Sequence, residues 1–208
     1  MFDADVLVRG LHAAGEPFGL RSTVAPVLRW GPFLAGLDDA FDEEYLTAIE
    51  LIYEGYLFHY RESRVSDVAG GEHETALLAG DYLYAAGLRL IAARGDVAAV
   101  DLLARLMAAC SYLRSVGAPF SADDALWAYT VGGLAALHQG VAPDTVAELF
   151  RELDGAVADV AIPDVRALAR ASSSALVLSD PVPLIAELEG PLSPSDPTGA
   201  PQAATVTP

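Results

Sequence analysis

The stretch LTAIELIYEGYLFHYRESRV, residues 46–65, decides how the chain folds. Apolar residues recur through it at helical spacing, and nothing in it alternates as a strand would. The spacing predicts a long helix from about Asp42 to Arg64, with Asp38 or Asp39 as its cap and Glu43 and Glu44 favouring the dipole of its first turn. Its far end is polar, carrying His59, Tyr60, Arg61, Glu62 and Arg64 where a core helix would be running out of polar residues.

Outward from this helix the same periodicity continues. Residues 3–14 read as a first helix, and the span 15–36, broken by Pro17, Pro26 and Pro32, as short helices and turns. After the Gly70–Gly71 pair, helices are predicted over 72–94, closed by Gly95, and over 96–115, closed by Gly117 and Pro119. Further helices follow over 119–140, with Ser121 as N-cap and Gly140 as stop, over 142–160 and over 164–178. PVPLIAELE (181–189) is a short docking segment. Residues 190–208, rich in Pro, Ser, Thr and Gly, are predicted to be a disordered tail. The fold class is therefore all-α, a helical bundle occupying residues 1–189 as one domain, with short loops favouring antiparallel neighbours.

Composition narrows the function classes. Hydrophobic residues make up 53% of the 208, and no stretch reaches the ~18 uncharged apolar residues of a membrane helix. VAAVDLLARLMAACSYL (97–113) is interrupted by Asp101 and Arg105. The N-terminus has acids where a signal peptide would have bases, so a cytoplasmic location is the default. The net charge of −17 argues against nucleic acid and anionic membrane as partners. Cys110 is the single cysteine and reads as a core thiol. GxGxxG, GxxxxGK[ST], HExxH and GxSxG are all absent, and His12, His59, His73 and His138 are scattered. The pairs Asp38–Asp39 and Asp123–Asp124 precede apolar helical runs and read as helix-capping acids. Gly80–Asp81 sits inside a helix pattern, where glycine costs about 1 kcal/mol relative to alanine and usually permits close helix approach.

LTAIELIYEGYLFHYRESRV followed by ETALLAGDYLYAAGLRLIAARGD (74–96) resembles the trans-isoprenyl diphosphate synthase family. There a helix reading roughly ELIHxxSLIHDDxxD precedes one reading ALLAGDxLxxxA. Glu50, Leu51, Ile52, Leu57 and His59 match the first, and Ala76, Leu77, Leu78, Ala79, Gly80, Asp81 and Leu83 match the second. The segment 124–161 resembles the family's later helices, so the likeness covers about residues 40–160. It implies a bundle of the isoprenoid-synthase type, truncated at the C-terminus.

The departures decide what the resemblance implies about activity. The family's two aspartate-rich motifs hold magnesium ions, which hold an allylic diphosphate; hard cations need that concentration of oxygen ligands. Tyr60, Arg61 and Arg64 stand at the matching positions of the first motif, and arginine has no acceptor atom. VSDVAGGEH replaces the arginine pair after that motif, and AIPDVRALARASS, with Asp164 alone, stands where the second is expected. The resemblance thus implies a non-catalytic small subunit of a heteromeric polyprenyl diphosphate synthase. Such a subunit packs on a catalytic one as a heterodimer or heterotetramer and helps set product chain length, with Mg2+ bound only by the partner. Tyr53, Tyr56, Phe58, Tyr82 and Tyr84 would then shape the interface or the product tunnel, against the plain alternative that they are core. Two other readings stay open. One is a stand-alone or homodimeric scaffold in which Arg61 and Arg64, one helical turn apart, hold a diphosphate directly, with Glu54 and Glu62 arguing for a self-neutralised surface instead. The other is an active enzyme using Glu72, Glu74 or Asp81 as metal ligands.

Overall fold

The computed structural model describes residues 26–65, 73–158 and 165–190. The expectations for the helix over 3–14, the Gly70–Gly71 loop, Glu72, Asp164 and the tail over 191–208 lie outside the described residues. In chain order the helices are α1 (Trp30–Leu37), α2 (Glu43–Tyr60), α3 (His73–Ala93), α4 (Val97–Ser115), α5 (Phe120–His138), α6 (Pro143–Ala158), α7 (Val165–Ser173) and α8 (Val182–Glu189). A 3-10 turn, Ser174–Leu176, follows α7, and no strand occurs among the described residues.

Two helices form the centre. α2 is buried at every position from Tyr45 to Phe58, and α5 at every position from Ala122 to Ala136 except Asp124. A helix apolar on all sides can be satisfied only by neighbours on all sides. α3 lies along α2; α1, α4, α7 and α8 pack around α5. α2 and α5 meet through large aromatic rings: Trp127 lies 5.0 Å from Tyr53, and Trp30 stacks on Trp127 at 5.9 Å. The expected docking segment is α8, whose Leu184 and Leu188 are buried, with Leu184 against Gly132 of α5.

The boundaries agree with the periodicity except where side chains compete for the backbone. α2 stops at Tyr60, not Arg64, because Arg61 turns into extended backbone (φ −138°, ψ −164°). That bend carries Arg64 back to the buried Glu50 and Glu54, and Arg61 to the partly buried Asp124. The cap of α2 is Asp42, which accepts from the Tyr45 N–H at 2.9 Å, not Asp38 or Asp39. Asp38 instead closes a turn onto the Ala40 N–H and pairs with His138. α5 begins at Phe120 behind Pro119, so Ser121 is not its cap. Gly95 and Gly140 stop α3 and α5 at φ +76° and +91°, where a side chain would be strained.

α3 owes its closeness to α2 to three glycines. A Cβ on Gly55 would lie 2.9 Å from the Gly80 carbonyl, and one on Gly87 would lie 2.5 Å from Ile52 Cγ1 and 2.6 Å from the Ala48 carbonyl. The carbonyl is backbone and cannot rotate away. Gly87→Ala is therefore expected to destabilise the protein by about 1–3 kcal/mol in urea denaturation. Gly36→Ala, where the space is open, should be neutral or slightly stabilising. α3 is also long and apolar enough to cross a membrane by length and composition alone, though Asp81 and Arg89 lie within it and one side follows α2.

Candidate functional site

Glu50 and Glu54 stand one turn apart on α2, and both carboxylates are fully buried. A buried charge must be paired and hydrogen-bonded. Arg64 supplies the pairing: its Nη1 donates to Glu50 Oε2 at 2.6 Å and its Nε to Glu54 Oε2 at 2.8 Å. The remaining lone pairs are also used. Glu50 Oε1 accepts the backbone N–H groups of Arg29 and Gly31 at 2.8 and 2.7 Å, tying down the first turn of α1. Glu54 Oε1 accepts from Ser63 Oγ at 2.7 Å and from the Arg64 N–H at 2.8 Å. The guanidinium lies 4.9 Å from the Tyr53 ring and donates to the Val27 carbonyl. Burial would lower the Arg64 pKa, but the two glutamates beside it hold it above its ordinary value.

A second buried cluster adjoins the first at the α2–α5 junction. Tyr56 Oη donates to Asp123 Oδ2, and Arg114 Nη2 donates to Asp123 Oδ1 at 3.0 Å. Arg61 Nη2 donates to Asp124 Oδ1 at 3.2 Å and to the Phe120 carbonyl at 2.9 Å. Arg61 and Arg114 both lie over the Phe120 ring, at 4.5 and 4.1 Å. Burial pushes the Asp123 carboxyl up to about 6, against the lowering pull of Tyr56, Arg114 and Arg61. Burial also raises Asp124 and Tyr56, and holds the Cys110 thiol well above its ordinary value. Asp123 and Asp124 are therefore not capping acids; they are the counter-charges for two arginines, one from the turn after α2 and one from α4.

The sequence-derived positions fall in different parts of the fold. Tyr53, Tyr56 and Phe58 are core. Arg61 and Arg64 are not one turn apart on a helix; both lie beyond α2 and belong to the two buried clusters. The surface neutralised by Glu54 is thus an interior ion pair. His59 stacks on Tyr84 at 5.1 Å, with its Nε2 3.2 Å from Asp81 Oδ1. A Cβ on Gly80 would lie 2.6 Å from that ring, so Gly80 makes room for His59. Tyr60 lies beside the rings of Tyr56 and His59. Tyr82, Glu74 and Asp81 are exposed. Among the described residues no three His, Cys, Asp or Glu side chains are grouped to hold a metal ion.

Sequence reasoning missed Glu50, Arg114 and Asp123 as members of these clusters. A signal for the first was present: two glutamates at i and i+4 inside an otherwise apolar helix require a cation nearby. Chemically, the clusters hold charge without presenting it. Each carboxylate is occupied by donors from within the chain.

The chain matches no protein-family model, no curated protein and no solved structure.

Proposed function

We propose that the chain is a non-catalytic helical subunit of a heteromeric polyprenyl diphosphate synthase, packing on a catalytic subunit and helping to set product chain length. The observation that carries this reading is the fate of the two arginines. Arg61 and Arg64 stand where the resembled family places magnesium-binding aspartates, and both are tied to acids within the chain, Arg64 to the buried Glu50 and Glu54 and Arg61 to the partly buried Asp124. Arginine cannot ligate a metal, so these residues do not fit the family's metal site. The space behind them is filled by Tyr53, Tyr56 and Trp127. Chemistry at the diphosphate would then belong to the partner, which brings its own Mg2+.

The test is co-expression with a synthase carrying both aspartate-rich motifs. Co-elution as a stable complex, with a changed product length distribution, is the expected result. The purified chain alone should form no prenyl diphosphate from allylic and homoallylic substrates with Mg2+. Product from the chain alone would overturn the proposal, and failure to bind any such synthase would leave the scaffold reading in its place.

A further inference from the structure

Between the first turns of α4 and α6 lies a cleft of about 590 Å³, within the roughly 300–1,000 Å³ that binding clefts usually occupy. Val97, Leu102, Leu137, Val146 and Ala147 give it an apolar lining. Val97 is 76% exposed, so the chain itself leaves part of that lining uncovered. The charged side chains that line the cleft are Asp96, Asp101 and Asp144, and no base does so among the described residues. Helix capping accounts for Asp96, whose carboxylate accepts the Ala99 N–H. It does not account for Asp101, which stands beyond the first turn of α4 beside Arg105. Asp144 favours the α6 dipole, yet it is exposed and enters no hydrogen bond or ion pair among the described residues.

The cleft belongs to an acidic end of the bundle. Asp96 accepts from Tyr45 Oη at 3.3 Å, which ties the start of α4 to the start of α2. There Asp42, Glu43 and Glu44 stand together, and Arg94 at the end of α3 meets Asp42 and Glu44. At the other end of α2 the charges balance, since Arg61, Arg64 and Arg114 each meet a carboxylate. Carboxylates gathered on one face raise the local concentration of cations. Charge alone would suit any small cation. An apolar lining with an uncovered valine favours a partner that also buries apolar surface there.

From this we infer that the α4–α6 cleft docks a basic segment of another protein, which seats an apolar side chain on Val97 and sets Arg or Lys beside Asp101 and Asp144. The cleft lies at the opposite end of α2 from Arg61 and Arg64, so the inference stands whether or not the reading as a synthase subunit holds.

The probe is a fluorescein-labelled helical peptide with leucines on one face and arginines on the other, titrated against the full chain by fluorescence anisotropy. It should bind at about 50 mM salt and weaken roughly 10-fold at about 300 mM, as an interaction between exposed charges does. Asp144→Asn should weaken binding about 3-fold, and Val97→Ser about 3- to 10-fold. Both side chains are exposed, and circular dichroism checks that each variant keeps its helices. Glu74→Gln, an exposed position on α3 with the same change in net charge as Asp144→Asn, should leave binding unchanged. No binding at low salt overturns the inference. So does a peptide with serine for leucine that binds equally well, or spermidine that displaces the peptide at equal concentration, because charge alone would then suffice. Affinity left intact by Asp144→Asn and Val97→Ser, or reduced as much by Glu74→Gln, places the contact outside the cleft and overturns it too.

Discussion

Arg64→Ala is expected to cost about 3–5 kcal/mol of folding stability, a large part of the ~5–15 kcal/mol that a domain usually has. Among the described residues, the side chain removed is the only charged partner of two fully buried carboxylates, Glu50 and Glu54. Neither glutamate can reach water without breaking the bonds it makes to α1 and to the Ser63–Arg64 backbone. The loss should therefore exceed that of an exposed ion pair, which is worth about 0–1 kcal/mol. Arg64→Lys should recover only part of it. A single ammonium cannot reproduce separate Nε and Nη1 contacts 2.8 and 2.6 Å from different carboxylates. The triple variant Arg64→Met, Glu50→Gln, Glu54→Gln should recover most of it, since the amide oxygens still accept the backbone donors and no charge is left buried. Urea denaturation followed by far-ultraviolet circular dichroism decides the matter. An Arg64→Ala loss below about 1 kcal/mol would show that water reaches the glutamates.

The helices were legible because periodicity and stop signals are local. Gly95, Gly117 and Gly140 end the helices that the pattern assigns to them, and all three have positive φ. Gly80, singled out because glycine is costly inside a helix, proves to sit at the close approach of α2 and α3. What could not be read was any choice that depends on a residue far along the chain. Tyr56 and Asp123 are 67 positions apart, and no local pattern announces their bond. The sequence could offer only the nearest explanation for Asp123–Asp124, which is helix capping. The same limit placed Arg61 and Arg64 on a continuing helix. Helical propensity favours that continuation by a few tenths of a kcal/mol per residue, and the buried ion pairs outweigh it.

His59, Gly80 and Asp81, which match residue types of the resembled family, sit together: Gly80 makes room for the His59 ring, which reaches toward Asp81. That contact requires only that α2 and α3 stay close. It does not require a metal or a diphosphate, so packing alone accounts for these residue types. Arg61 and Arg64, where the chain departs from the family pattern, are the ones that bind the polar end of α2 to the rest of the core.

Asp123→Asn is expected to remove a pH dependence that the wild type shows between about pH 4 and 7. Burial raises the folded-state pKa of Asp123 from 3.8 to about 6. For an acid raised in this way, the folded state holds its proton where the unfolded chain has lost it. Its contribution to stability is thus fully present below about pH 4 and is lost as pH rises through about 6. A shift of about 2 units corresponds to roughly 3 kcal/mol across that window. The quantity to measure is the stability of the wild type minus that of the variant at successive pH values. In that difference Asp38 and Asp42, which are lowered and act below the window, cancel, and Asp124, also raised by burial, enters only through its charge repulsion with Asp123. The wild type should gain on the variant as pH falls from 7 to 4. Tyr56→Phe gives the complementary result: it deletes the hydrogen bond that holds the Asp123 carboxyl down, so the midpoint of the wild-type dependence should move upward. A difference that stays constant with pH would mean that Asp123 ionises as it does in water, and the cluster between α2, α4 and α5 would then be solvated rather than sealed.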